Sequence, residues 1–372
     1  MSPAPPPKLP FWALLQDQSD IDSQARLNQS GVYNLSDGEK KWVARQPALY
    51  ARGYSLRSRY VPGWKPSWIG TNRRALFCED SIRFIVPNVL DATRREDGQL
   101  VVIKTVRRPR ELDVVHYIAA LKNPRSHCIH VLDVFPDPVE PGITLMVMPY
   151  LRPFNDPPMA TIEELFVFID HTLEGLSFLH RHRIAHRDIA PLNVMMDGHA
   201  LFPEGHHPAR IASTPDGVRD AKFVSRSKPG VAVEYLYIDF DCASMFAEGE
   251  SPMVLGDIGR DAEVPELSET VPYNAFKVDI FALGNLYLKE FVALYKHLEF
   301  LDGMINRMKQ HDPQARPTVD EVVKMWEKIR TDNQNRSSWR LSLKSETSMS
   351  RLIDGIHDVA MSGIGTVLNY IA

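Results

Sequence analysis

Two short stretches carry residue types suited to one chemistry: His186-Arg187-Asp188-Ile189-Ala190-Pro191-Leu192-Asn193 and, much later, Ile238-Asp239-Phe240-Asp241. An Asp, an Asn five positions on and a second Asp at the end of an apolar strand can orient a hydroxyl and offer hard oxygen ligands to Mg²⁺. Asp188 would steer the hydroxyl proton, while the Asn193 amide oxygen and the Asp239 carboxylate would hold the metal. A lone loop Asp is ordinarily a turn or cap residue. The spacing of His186, Arg187, Asp188 and Asn193 behind a long apolar helix argues against that reading here. His186 reads as a packed organiser of the backbone rather than as an acid or base.

The elements that must position these groups are legible from periodicity. Ile162, Leu165, Phe166, Ile169, Leu173, Leu176 and Leu179 form one apolar stripe at helical spacing, and Thr161 with Glu164 has the pattern of a capping box. Strands are expected over 81–86, 88–92, 99–104, 129–134 and 143–148, with Asp97-Gly98 turning a hairpin. A helix is expected from Pro109, with further helices over 278–293 and 317–330. Lys104 closes the apolar strand Leu100-Val101-Val102-Ile103, and Glu111 opens a helix with apolar residues at Leu112, Val114, Val115 and Ile118.

The first motif resembles the catalytic loop of protein kinases, and Asp239-Phe240-Asp241 resembles their metal-binding DFG segment with Asp241 in place of glycine. Val101-Val102-Ile103-Lys104 resembles the family's lysine strand. Val264-Pro265-Glu266 resembles the Ala-Pro-Glu that closes the activation segment, with Arg316 as the distal partner of Glu266. Lys277-Val278-Asp279-Ile280 resembles the buried helix that anchors the catalytic loop through Asp279. The likeness is nearest to fungal-type protein kinases. It implies an α+β bilobal fold, with a small antiparallel β lobe carrying one key helix and a larger, mainly α lobe. It also implies ATP and Mg²⁺ as cofactors. Asp188 would be the catalytic base. Lys104, paired with Glu111 (Asp113 being the rival), would contact the phosphates; Asn193 and Asp239 would bind metal, with support from His186, Arg187, Glu266, Asp279 and Arg316. Aminoglycoside- and choline-kinase-like enzymes share the His-x-Asp loop but not the closing segment and distal Arg.

The chain departs from the family in three places. Ala190 stands where serine/threonine kinases carry Lys, Asp241 replaces the DFG glycine, and residues 79–92, the expected site of the glycine-rich loop, contain no glycine. The missing loop implies a weaker grip on nucleotide. The reading is therefore a protein kinase acting on Ser/Thr rather than Tyr, with a pseudokinase scaffold as the alternative. Ser244 and Ser251 are candidate phosphosites facing Arg187.

The expected organisation is a flexible proline-rich arm at 1–10, an extension packed on the small lobe at 11–74 and the small lobe at 75–149. The large lobe follows at 150–332, with a polar surface insert at 198–230, and then a linker and amphipathic segment at 333–372. His206-His207 in the insert reads as solvated, and Arg107, Arg108 and Arg110 read as a solvated basic turn. The 372-residue chain is 44% hydrophobic and 24% charged, with net charge −4. That composition allows a sizeable core and leaves no overall electrostatic footprint for nucleic acid. Three scattered cysteines, no signal-peptide pattern and no apolar run of membrane length point to a reduced cytoplasmic or nuclear setting. The expected partners are a protein substrate or a regulatory protein, with no nucleic acid and no transmembrane segment.

Overall fold

Alternation along Leu100–Val106 puts Val101 and Ile103 into a core, with Val102 and Lys104 on the opposite face. That strand is the middle of the small lobe. In the computed structural model, which describes residues 8–84, 86 and 88–345, it lies in a five-stranded antiparallel sheet. The strands are β1 (Tyr54–Ser55), β2 (Val89–Arg94), β3 (Leu100–Val106), β4 (Asp133–Pro136) and β5 (Thr144–Pro149), in the order β1-β2-β3-β5-β4. The β2–β3 hairpin turns at Asp97-Gly98, where Gly98 takes φ +74° and donates its N–H to Arg94 O. Residues 82–84 are not a strand as expected: a short 3-10 turn at Glu79–Ser81 precedes them, and pairing begins at Val89.

The segment before β2 contributes more than a packed cover. Helices α1 (Gln18–Gln29) and α2 (Asp37–Ala51) lead into β1, which pairs with β2 as the edge strand. Trp42, Leu49, Tyr54, Leu56 and Tyr60 form one core with Leu90, Val101, Ile103, Leu145 and Val147. Three arginines tie this segment down through carboxylates: Arg45 to Asp137 at 2.6 Å, Arg57 to Asp91 at 2.8 Å and Arg59 to Glu39 at 2.7 Å. Ser36 and Glu39 also form the capping box that starts α2.

Helix α3 (Pro109–Ala120) packs beside the sheet, and the chain then crosses to the large lobe through Tyr150 and Leu151. There β6 (Arg152–Pro153), α4 (Ile162–Arg181), β7 (Ile184–Ala185), β8 (Val194–Asp197) and β9 (Glu234–Tyr237) frame the two motifs. The elements β10 (Ser244–Met245), β11 (Met253–Gly256), β12 (Ser268–Asn274), α5 (Ala275–Tyr287), α6 (Asp302–Met308) and α7 (Val319–Asp332) complete it. All seven residues of the α4 stripe are buried, and Thr161 accepts the Glu164 N–H as the N-cap. The Glu164 carboxylate takes the Ala160 N–H instead of closing a full capping box.

Two expectations for polar segments are corrected. Residues 198–230 are not a solvated loop: Leu201, Phe202, His206, His207, Val218 and Ala221 are buried. Residues 333–345 are not a free linker, because Ile162 and Glu163 donate their N–H groups to Trp339 O and Ser337 O, and Leu341 is buried. The amphipathic segment expected at 352–372, and most of the proline-rich arm, lie outside the described residues.

Burial pushes the Glu39 carboxyl up, but Arg59, the Ser36 N–H and Arg83 outweigh it and hold the group at about 2. The folded value lies below the ordinary 4.5, so this stabilisation is complete above pH 4.5 and is lost as pH falls through about 2. Glu39→Gln should cost about 3–5 kcal/mol, because Arg59 would stay buried without its counter-charge. Thermal denaturation should show the variant losing less stability than the wild type on acidification through that window.

Candidate active site

The backbone at His186 and Arg187 is held from below by one buried carboxylate. Asp279, on α5, accepts the His186 N–H at 2.9 Å and the Arg187 N–H at 2.7 Å, and His180 Nε2 lies 2.9 Å from it. His186 sits between Tyr237 and Phe240, and its Nε2 bonds Ile238 O at 2.9 Å, joining the loop to the strand that ends at Asp239. Asn193 donates its Nδ2 to Asp188 O at 2.8 Å and to Asp188 Oδ2 at 2.7 Å. That leaves the Asn193 amide oxygen as an acceptor.

Lys104 bridges the lobes. Its Nζ lies 2.5 Å from Glu111 Oε1 and 2.7 Å from Asp239 Oδ1. Glu111 is buried and Asp113 is exposed, so the rival carboxylate does not reach the lysine. Burial pushes the Lys104 ammonium down, but Glu111 and Asp239 outweigh that and hold it above the ordinary lysine value. Burial raises Glu111, which Lys104 offsets only in part. Asp239 is raised by burial, yet Lys104 and Arg260 together bring it below the ordinary Asp value, so it stays ionised. An ionised carboxylate and an amide oxygen are ligand types that suit Mg²⁺, which takes one or two protein oxygens and fills its shell with phosphate and water.

At the far end of the domain, Arg316 clasps Glu266 with two bonds, at 2.5 and 2.8 Å, and donates to Lys277 O at 2.9 Å. A bidentate pair fixes direction as well as distance, so the closing segment is anchored on α5. A family model described as "Protein kinase domain" matches residues 86–293, more than half of the chain. The chain belongs to the protein kinase family.

In this kinase the substituted DFG position does not carry the strained backbone. The positive φ falls on Asp239, at +65°, and Asp241 lies in an ordinary 3-10 turn, Phe240–Cys242. The Asp241 carboxylate pairs with Arg108 at 3.0 Å, although the Arg108 side chain stays mostly exposed. Burial, with the carboxylates of Asp188, Asp241 and Asp239, pushes the Cys242 thiol up to about 11, so it is no thiolate nucleophile.

The connection between β1 and β2, where kinases lay the glycine-rich loop, runs over residues 56–88. Its glycines, Gly63 and Gly70, sit in open turns where an added Cβ would meet no neighbouring atom. This connection packs on the insert: His207 Nε2 lies 3.4 Å from Glu79, and Arg210 donates to Leu76 O at 2.9 Å. The insert also accepts the Tyr150 hydroxyl at Pro208 O, 2.8 Å, and an Arg152 N–H at Ile211 O, 3.0 Å. His206 and His207 are therefore structural. Burial and the nearby Arg152 charge push His206 down to about 4.

The activation segment is pinned by neutral groups. Arg187 donates to Ser244 Oγ at 3.1 Å, Leu255 O at 3.0 Å and the Tyr273 hydroxyl at 2.9 Å. Ser244 is fully buried in that contact, which corrects its reading as an accessible phosphosite. Sequence reasoning missed Gly259 and Arg260. Gly259 has φ +107°, and a Cβ there would come within 2.7 Å of Arg187 O. Arg260 donates its N–H to Asp188 Oδ1 at 2.6 Å, and its Nε lies 3.3 Å from Asp188 Oδ2. The one signal in the chain was the missing cation at Ala190, which invites a search for a replacement. Gly259→Ala should destabilise the protein by about 1–3 kcal/mol and lower turnover more than stability. Calorimetry and a kinase assay on the same preparation would separate the two.

Proposed function

We propose that the chain is an ATP- and Mg²⁺-dependent protein kinase that transfers the γ-phosphoryl group to a Ser or Thr hydroxyl of a protein. The observation that carries this reading is the Lys104 ammonium seated between Glu111 and Asp239, with Asp188 and Asn193 bonded to each other beside it. A chain with no use for phosphates gains little by keeping five such groups together.

In this reading Lys104, held by Glu111, binds the α- and β-phosphates. Asp188 orients the acceptor hydroxyl and takes its proton as the oxygen attacks. Asn193 and Asp239 would hold Mg²⁺, which would neutralise phosphate charge when bound. Asp279 and His186 keep the loop backbone fixed, so little reorganisation is left for the reaction itself. Pro191 after Ala190 favours a Ser/Thr acceptor. A reducing, cytoplasmic or nuclear setting fits the unpaired thiols of Cys78, Cys128 and Cys242. Among the described residues, no helix is long and apolar enough to cross a membrane.

A second reading, a nucleotide-binding or scaffolding pseudokinase, draws on the 56–88 connection in place of a glycine-rich loop. The full chain assayed with Mg²⁺-ATP and a protein acceptor should incorporate phosphate. Asp188→Asn and Asp239→Asn should each lower that by about 10²–10⁴-fold. Incorporation that survives both changes would remove the site assignment. Mg²⁺-dependent thermal stabilisation by ATP, about 2.7 kcal/mol at a hundredfold excess over Kd, without incorporation would establish the second reading.

A further inference from the structure

Serine/threonine kinases place a lysine two positions after the catalytic Asp, and this chain has the methyl group of Ala190 there. The structure assigns the missing charge to Arg260, which reaches the same place from the activation segment. We infer that Arg260 is the cation that contacts the transferred phosphoryl group in this kinase, standing in for the lysine absent at Ala190. The inference rests on the kinase reading above.

The geometry is specific. Arg260 is tied to the catalytic carboxylate twice, through its backbone N–H at 2.6 Å and its Nε at 3.3 Å. Its Nη2 lies 3.6 Å from Asp239 Oδ2. The guanidinium therefore spans the carboxylate proposed to orient the hydroxyl and the one proposed to hold metal. A phosphoryl group passing between them must pass this charge. Arg260 and Ala190 line the same cleft, together with Pro191 and Lys289. Lys289, the other cation there, is engaged by Glu263 at 2.7 Å.

A surface ion pair would show no such bracketing, and is worth only about 0–1 kcal/mol. Here the flanking residues on both sides are fixed. Gly259 passes so near the Arg187 carbonyl that a Cβ there would lie 2.7 Å from its oxygen, at a backbone angle that L side chains avoid. Asp261 is held by the Asn285 amide, 2.9 Å from each carboxylate oxygen. The side chain itself is 47% exposed, so its charge is open to a ligand. A planar guanidinium can offer two parallel N–H groups to phosphate oxygens.

In the transfer, the acceptor oxygen bonds to the γ-phosphorus as the bridging β–γ oxygen bond breaks. ADP leaves with that electron pair, and the hydroxyl proton passes to Asp188. Arg260 would balance the charge on the oxygens of the moving group.

The test compares the full-length wild type with Arg260→Ala, and with Arg260→Ala combined with Ala190→Lys. Turnover should fall about 10²-fold in the single variant and recover at least tenfold when lysine returns at position 190. Calorimetric titration gives a readout free of turnover: the ratio of Mg²⁺-ATP to Mg²⁺-ADP affinity should fall about tenfold in Arg260→Ala, with ADP affinity unchanged. A rise in turnover would mean that Arg260 plugs the site, and would overturn the inference. So would an ATP/ADP ratio that the substitution does not move. A wild type without turnover would sink the kinase reading alone, since the affinity ratio still decides the role of Arg260.

Discussion

The ammonium of Lys104 is the point on which the two lobes agree. It stands on β3, its first carboxylate is on α3, and its second follows β9 in the other lobe. Each of these charges is largely shielded from water, so each needs the others: a partner removed leaves a poorly solvated charge behind. The arrangement therefore constrains the rest of the chain. The β3–β5 ladder must present Lys104 on one face, α3 must turn Glu111 inward, and β9 must end at the floor of the cleft. The exposed pair between Arg108 and Asp241 joins the same two elements a turn further out, where solvent leaves it little energy.

Below that junction the large lobe fixes both the backbone and the side chains of the loop and of the segment that follows. Asp279 captures two successive N–H groups of the catalytic loop, and Arg316 fixes Glu266 to the same helix. Arg187 donates to a hydroxyl, a carbonyl and a phenol through its two terminal nitrogens, while its buried Nε has no partner. Those bonds tie Ser244, Leu255 and Tyr273 to the residue that precedes Asp188. The close approach of the activation segment through Gly259 is what brings a cation of that segment onto Asp188.

The small lobe gains its edge strand and much of its core from residues that precede the matched domain. The long β1–β2 connection grown from that strand meets the insert of the large lobe, at Glu79 with His207 and at Ile82 against Gly217. The insert also grips Tyr150 and Arg152 in the stretch that links the lobes. The long β1–β2 connection and the 198–230 insert thus meet in a single contact, made on the side where the lobes join.

Much of this was legible in the sequence, because it depends on local order. Periodicity marked the α4 stripe, the Asp-Gly turn marked the hairpin, spacing marked Asp188, Asn193 and Asp239, and the resemblance to kinase motifs marked Lys104, Glu111, Asp279 and Arg316. Burial of polar stretches was not legible. Residues 198–230 read as solvated because their anchors, Phe202 and the two histidines, are scattered among prolines and charges and find partners far away in the chain. Asp241 stands where the family carries glycine, but the backbone path, which spacing does not reveal, puts the positive φ on Asp239. The residue types and their spacing by themselves determined which groups were candidates for metal and hydroxyl, and the resemblance added the candidate for phosphate. Only the tertiary structure decided that Arg260 stands where Ala190 leaves a charge missing, because the two segments are far apart in the chain and their meeting depends on one glycine's close approach.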